Sequence, residues 1–339
     1  MSPGRAGARS SGARLGKQYH GKSKNSGAHF CHSPHLDHRC DRVSDQRNSG
    51  GLSKTAPLRR IVDALRRYLA SRPGRLLLCG ISGSGFILAA ATLTRHGLLG
   101  HGGSGGVDVF AYWDAGRHVL DGSHLYGGSV GGRAAYLYPP VFAQLLALPA
   151  MLPFVAFAWL WRGLELLCLR GVIGSWQGTG VALLLFPPAI TELDAGNVHL
   201  IVALALAALL RGNPRAIAPV GLLTKFAPLA AMPLAFAANW RATVRSLLAV
   251  AAVCFVSLAI HPRDWIDYAR LLVTVQEPPQ SPFVLLGGIP LIVRDAAACA
   301  LGLLALRWRL LVVPAVVLAY PVLWLNSLST LVAIAYHRD

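Results

Sequence analysis

Three aspartates, Asp108, Asp114 and Asp121, share the polar stretch DVFAYWDAGRHVLDGSHLYGGSVGGRAAYLYPP from Asp108 to Pro140. A carboxylate sheltered by rings such as those of Tyr112 and Trp113 can accept a proton from an incoming hydroxyl, which is the work of a general base. Each has a plainer reading as well: Asp108 as a helix cap, Asp114 as a cap or a partner of Arg117, and Asp121-Gly122 as a turn. Two cations complement them. Lys225, in GLLTKFAPLAAMP, and Arg133, just before the Tyr138-Pro139-Pro140 element, could meet negative charge developing near a bilayer surface. A lysine at a helix end also snorkels to the interface with no catalytic role. Asn197 and His199 could hydrogen-bond hydroxyl groups of a substrate, or serve as polar contacts between helices.

These residues need elements to hold them, and the composition points to a membrane bundle. Hydrophobic residues make up 54% of the chain, charged residues 14%, and the mean hydropathy is +0.47; soluble domains carry about a quarter charged residues. Apolar segments fall at 76–99, 139–151, 153–171, 178–191, 197–211, 215–238, 243–261, 284–306 and 310–335. Several are shorter than the roughly 20 residues that a straight helix needs to cross a bilayer. Pro139, Pro140, Pro149, Pro153, Pro187, Pro188, Pro214, Pro219, Pro228 and Pro233 punctuate them. The expectation is an all-α polytopic bundle of about eight to ten transmembrane helices, several short or kinked, whose freed backbone groups line a protein cavity. Two polar excursions, about 100–138 and 262–283, are expected on the extracytoplasmic side. In the second, Asp264, Asp267 and Glu277 are further acid candidates, and Trp265 and Tyr268 read as a sugar platform or an interfacial anchor.

The net charge of +17 is concentrated before the first apolar segment, where residues 1–75 hold 16 Lys/Arg against four Asp. That placement keeps the N-terminus cytoplasmic and, lacking aromatic interleaving, argues against nucleic acid. Residues 1–56 are too poor in apolar side chains to offset ordering entropy and are expected to be a disordered basic tail. Residues 57–75 are expected to form an amphipathic juxtamembrane helix, and 76–339 the membrane domain. The stretch HFCHSPHLDHRC in the tail offers zinc-ligating types but no standard finger spacing. Cys79, Cys168, Cys254 and Cys299 read as small hydrophobes. No metal site and no cofactor are expected.

The pattern Asp108, Tyr112, Ala115-Gly116, Gly122, Leu125-Tyr126, Tyr138-Pro139-Pro140 resembles glycosyltransferase family 87, the polyprenol-phosphate-mannose-dependent mannosyltransferases with the GT-C membrane fold. Ala195-Gly196-Asn197-Val198-His199 is similar to the family's glycine-polar-x-Asn element, with His199 where asparagine is common. Lys225-Phe226-Ala227-Pro228 resembles its Lys-x-x-Pro element, and Gln280-Ser281 before Leu285-Leu286-Gly287 a later Gln-Ser loop. The resemblance implies a multi-pass cell-membrane enzyme with an extracytoplasmic site. It would pass a sugar, with inversion, from a polyprenyl-phosphate sugar such as polyprenyl-phosphate mannose to a lipid or glycan hydroxyl. Asp108 matches the catalytic base. Lys225 and Arg133 would hold the donor phosphate, and Tyr112, Tyr126, Tyr138, Asn197 and His199 would contact substrate. Membrane lipids surround such a protein. The rival classes are a secondary transporter, which shares broken helices and intramembrane polar groups, and a degenerate membrane scaffold.

Overall fold

The computed structural model describes residues 56–95, 106–126, 135–274 and 284–336. The basic tail with its His/Cys stretch, Arg133, Glu277 and Gln280-Ser281 lie outside them. Helices dominate the described residues, and proline and glycine set most of their ends. The first is α1 (Ala56–Ala70), followed by α2 (Arg72–Arg95). Much of the excursion expected over 100–138 is a helix, α3 (Val107–Asp121), because Val109, Tyr112, Ala115 and Gly116 recur at helical spacing and bury one face. Pro140 occupies the first turn of α4 (Pro140–Ala147), where its missing N–H costs no hydrogen bond. After α5 (Phe154–Ile173), Ser175 caps α6 (Trp176–Leu185) by accepting from the Gly178 N–H at 3.0 Å.

The short apolar segments become α7 (Pro187–Ala195), α8 (His199–Leu210), α9 (Ile217–Leu223) and a 3-10 turn, Ala227–Ala231. The break expected between 215–238 and 243–261 is no loop, since α10 (Met232–Ile260) runs through it. Asn239 alone departs from helical geometry there, with φ −163° and ψ 92°. Its side chain accepts from the Ala242 N–H at 3.0 Å, and the Thr243 hydroxyl donates to the carbonyls of Ala235 and Asn239, each at 2.9 Å. Those bonds satisfy backbone groups that the kink frees, so the helix resumes at once. The second excursion begins as α11 (Pro262–Thr274). Then come α12 (Leu291–Leu304), α13 (Val312–Leu318) and a 3-10 helix, Leu325–Tyr336. Val284–Leu285 pairs antiparallel with Leu323–Trp324.

Two cores result. The larger centres on α8, whose Leu200, Val202, Ala203, Leu206 and Leu209 are all fully buried; a short helix apolar on every side belongs in an interior. It packs against α5 and the Leu325–Tyr336 helix. The smaller core is aromatic: Tyr112 lies edge-on to Tyr138 and Phe142, with ring centroids 5.1 and 5.3 Å away, and touches Trp161 at 5.0 Å. Such pairs add about 0.5–1.5 kcal/mol each beyond their burial. This aromatic base supports the face of α3 that carries Asp108.

Among the described residues, two stretches, Arg72–Thr94 and Ala227–Ile260, are long and apolar enough to cross a membrane. Only 22% and 17% of their apolar windows are buried, so neither is an ordinary core helix. α2 lies against α6 where Ser82, Gly85 and Gly180 let the backbones touch. A Cβ on Gly85 would meet the Gly180 carbonyl oxygen at 1.8 Å. On α1, Leu58, Ile61, Leu65 and Tyr68 are exposed beside Arg59, Arg60, Arg66 and Arg67.

Candidate active site

The site is organised by one turn. Gly196 ends α7 with φ +73°, a left-handed conformation that costs a residue with a Cβ about 1–2 kcal/mol. A Cβ there would also stand 2.7 Å from the Val109 Cβ, so this turn and α3 are in direct contact. Asn197 therefore leaves the helix beside α3, and its side-chain oxygen accepts from the Val198 N–H at 2.8 Å. Its amide nitrogen donates to Asp108 Oδ2 at 2.6 Å. The backbone bond fixes which end of the amide faces which neighbour.

Lys225 reaches the same amide from the other side. It sits where α9 has ended, at Thr224 with φ −119° and ψ −86°, and before the 3-10 turn begins. Its Nζ donates to Asn197 Oδ1 at 3.0 Å and lies 3.2 Å from His199 Nε2. The ammonium stands 5.5 Å from the ring of Tyr138 and 5.7 Å from that of Tyr320, a desolvated setting in which cation–π attraction is worth about 1–2 kcal/mol. Tyr138 OH donates to Asn197 Oδ1 at 3.1 Å and accepts from Tyr112 OH at 2.7 Å.

The result is a carboxylate on the nitrogen and an ammonium on the oxygen of a single amide, joined from positions 108, 197 and 225 of the chain. Burial holds the Asp108 carboxyl above the usual carboxylate range; the Lys225 ammonium is the largest opposing influence, and the Asn197 hydrogen bond also pulls it back. A carboxyl poised upward in this way is a better base near neutral pH than a solvated one. Asp108 and Lys225 are half-buried and keep faces open, whereas Tyr112 and His199 are wholly enclosed and Asn197 nearly so.

The other sequence candidates lie farther out. Tyr126 donates to the Tyr138 carbonyl at 2.6 Å and stacks obliquely with Tyr268, 5.9 Å away. This joins α11 to the rim of the site, and Trp265 holds the start of α11 by donating to Ser257 Oγ at 2.9 Å. Asp121 pairs with Arg117 at 3.8 Å on the surface of α3, and Asp267 with Arg270 at 3.1 Å. Burial raises the Asp264 carboxyl, which stands 3.9 Å from His261. The four described cysteines are free thiols.

Several neighbours of the site carried no motif. Glu192 on α7 and Glu165 on α5 are wholly buried acids, and Asn326 donates to Glu192 Oε2 at 3.0 Å. An acid inside an apolar segment is itself a signal for a functional group; Asn326 and Tyr320 gave none. Arg162 donates to the Asp194 carbonyl at 3.0 Å, as does the Gly106 N–H at 2.7 Å, and so ties α5 to both the entrance of α3 and the end of α7. No protein-family model, curated protein or solved structure matches this chain.

Proposed function

We propose that this chain is a multi-pass membrane glycosyltransferase of the GT-C type, similar to family 87. It moves a sugar, with mannose the first choice, from a polyprenyl phosphate to the hydroxyl of a lipid or glycan. The observation that carries the reading is the convergence of Asp108 and Lys225 on Asn197, since direct displacement at an anomeric carbon needs a base on one side and a partner for the departing phosphate on the other. Asp108 takes the proton of the acceptor hydroxyl as its oxygen attacks the anomeric carbon. The bond from that carbon to the lipid phosphate breaks, and the phosphate oxygen carries the electron pair away toward Lys225. Attack opposite the leaving group inverts the configuration. Arg133 is the second cation assigned to the donor phosphate. The apolar outer faces of α2 and α10 fit a bilayer, with the α3 side of the bundle extracytoplasmic.

The test is transfer of radiolabelled mannose from polyprenyl-phosphate mannose into membrane lipids. The intact protein and Asp108→Asn are compared at equal membrane abundance. Loss of transfer in the variant alone supports the assignment; equal transfer by both removes Asp108 as the base, and none by either removes this donor.

One observation favours a second reading, a proton-coupled secondary transporter. Glu165 is wholly buried and neither carboxylate oxygen has a hydrogen-bond partner among the described residues, as expected of an intramembrane proton carrier. Proton uptake into proteoliposomes that disappears with Glu165→Gln would favour this alternative.

A further inference from the structure

Glu192 touches neither open face of the site, yet its hydrogen bonds run to Lys225 through one imidazole. Its Oε1 accepts the backbone N–H of His199 at 2.6 Å. Its Oε2 accepts from Asn326 at 3.0 Å and lies 2.8 Å from His199 Nδ1. The opposite ring nitrogen, Nε2, is 3.2 Å from Lys225 Nζ. A neutral imidazole has one N–H and one lone pair, an ammonium offers only donors, and an ionised carboxylate only acceptors. With Glu192 ionised and Lys225 charged, both ends of the ring demand the same tautomer, with the proton on Nδ1 and the lone pair of Nε2 facing Lys225. The reverse arrangement would put two N–H groups head to head and a lone pair against a carboxylate.

We propose that Glu192 is a positioning residue for the donor phosphate. By fixing the His199 tautomer it supplies Lys225 with a second protein acceptor besides Asn197 Oδ1. Two of the three ammonium N–H groups are then committed, and the remaining one is held for a phosphate oxygen of the lipid-linked donor. The inference rests on the transferase reading for its ligand but not for its tautomer. His199 is thus a relay between a buried acid and the cation, and its complete enclosure protects the tautomer from exchange through water.

The experiment uses the full chain in lipid nanodiscs, with polyprenyl phosphate alone as the binding probe. Glu192→Gln keeps the shape and an acceptor for the backbone N–H. Its amide nitrogen, however, donates toward His199 Nδ1, which moves the ring proton to Nε2 and points it at Lys225. Binding should weaken about 10- to 100-fold, the worth of one charge-assisted hydrogen bond. With polyprenyl-phosphate mannose as substrate, KM should rise more than kcat falls. In a His199→Asn background, where the relay is already broken, Glu192→Gln should change binding by less than about threefold. Asn326→Leu removes another bond to the same carboxylate without changing the tautomer, and should leave binding within about threefold of wild type.

Nitrogen-15 spectra of histidine-labelled protein give a readout independent of donor, with the His199 signals identified by their loss in His199→Asn. A bare Nε2 in the wild type that becomes protonated in Glu192→Gln supports the relay. A protonated Nε2 in the wild type overturns it even if Glu192→Gln does not fold. Equal weakening by Asn326→Leu and Glu192→Gln would mean general loosening and also overturn it. Wild-type protein that does not bind polyprenyl phosphate but shows the expected tautomers would sink the transferase reading and leave the relay standing.

Discussion

On the transferase reading, replacing Lys225 with methionine should separate catalysis from stability more sharply than any other change at the site. Methionine keeps an unbranched chain of similar length and removes the ammonium. The structure sets the losses: hydrogen bonds at 3.0 Å to Asn197 and 3.2 Å to His199, and cation–π contacts at 5.5 and 5.7 Å. Hydrogen bonds to a charged group are worth about 1.5–3 kcal/mol each, and the two ring contacts about 1 kcal/mol each. Against this, burying an ammonium costs several kcal/mol, and methionine has no such cost. The opposing contributions nearly cancel, so stability should change by no more than about 2 kcal/mol. Transition-state charge has no such compensation, and loss of a preorganised donor lowers kcat by about 100- to 1,000-fold. The variant also removes the largest influence pulling the Asp108 carboxyl down. The base must be ionised to act, so the acid limb of the rate profile should move to higher pH. Initial rates of labelled mannose transfer in proteoliposomes from pH 5 to 9, beside thermal unfolding of the same preparations, measure all three quantities. A rate within threefold of wild type, with an unmoved acid limb, would refute the role given to Lys225.

Asp108→Asn should reduce transfer at least about 1,000-fold, the upper part of the range for a general base together with its positioning, while polyprenyl phosphate still binds with wild-type affinity. In the wild type, transfer should fall with decreasing pH through a midpoint above that of an ordinary carboxylate, because burial raises Asp108; a midpoint at the ordinary value would count against its burial in the working protein. Gly196→Ala should lower stability by about 1–3 kcal/mol, since it forces a Cβ into a left-handed turn and against Val109, a cost visible in denaturation and absent from Gly288→Ala, where space is open. Tyr138→Phe removes a bond to Asn197 and one from Tyr112 and should cost about 1–2 kcal/mol with only a modest loss of rate, whereas a loss as large as that from Asp108→Asn would make Tyr138 a direct participant.

The sequence was most legible where chemistry and backbone constraint coincide. Asp108, Asn197 and Lys225 are polar groups flanked by glycine, proline or segment ends, and the structure brings them to one amide. Glu192 stands only a few residues before Gly196, in an apolar segment, and its importance arises from the path that His199 opens to Lys225, a residue distant in sequence. Pairing across that distance leaves no periodic trace. The polar run around Asn239 to Arg245 looked like an interruption because hydropathy registers side chains, whereas helix continuity depends on the backbone bonds that Asn239 and Thr243 repair. α3 falls within a polar excursion of the sequence for the opposite reason: its outward residues are polar, and its buried stripe is too narrow to dominate an average.

The bare contact between α2 and α6 bears on how the protein is made. Neither Gly85 nor Gly180 can accept a methyl group without the two backbones parting, and in a bilayer such close van der Waals packing replaces the hydrophobic drive between helices. The partner of α2 is encoded far downstream, beyond α5. At ordinary synthesis rates of about 5–20 residues per second, α2 waits on the order of ten seconds for α6 to emerge. During that interval its Ser82 and Gly85 face is an uncommitted seam open to any other small-residue helix. Biogenesis of this chain therefore depends on keeping this long apolar helix from finding the wrong neighbour, and a single alanine at Gly85 would turn that delay into lasting separation.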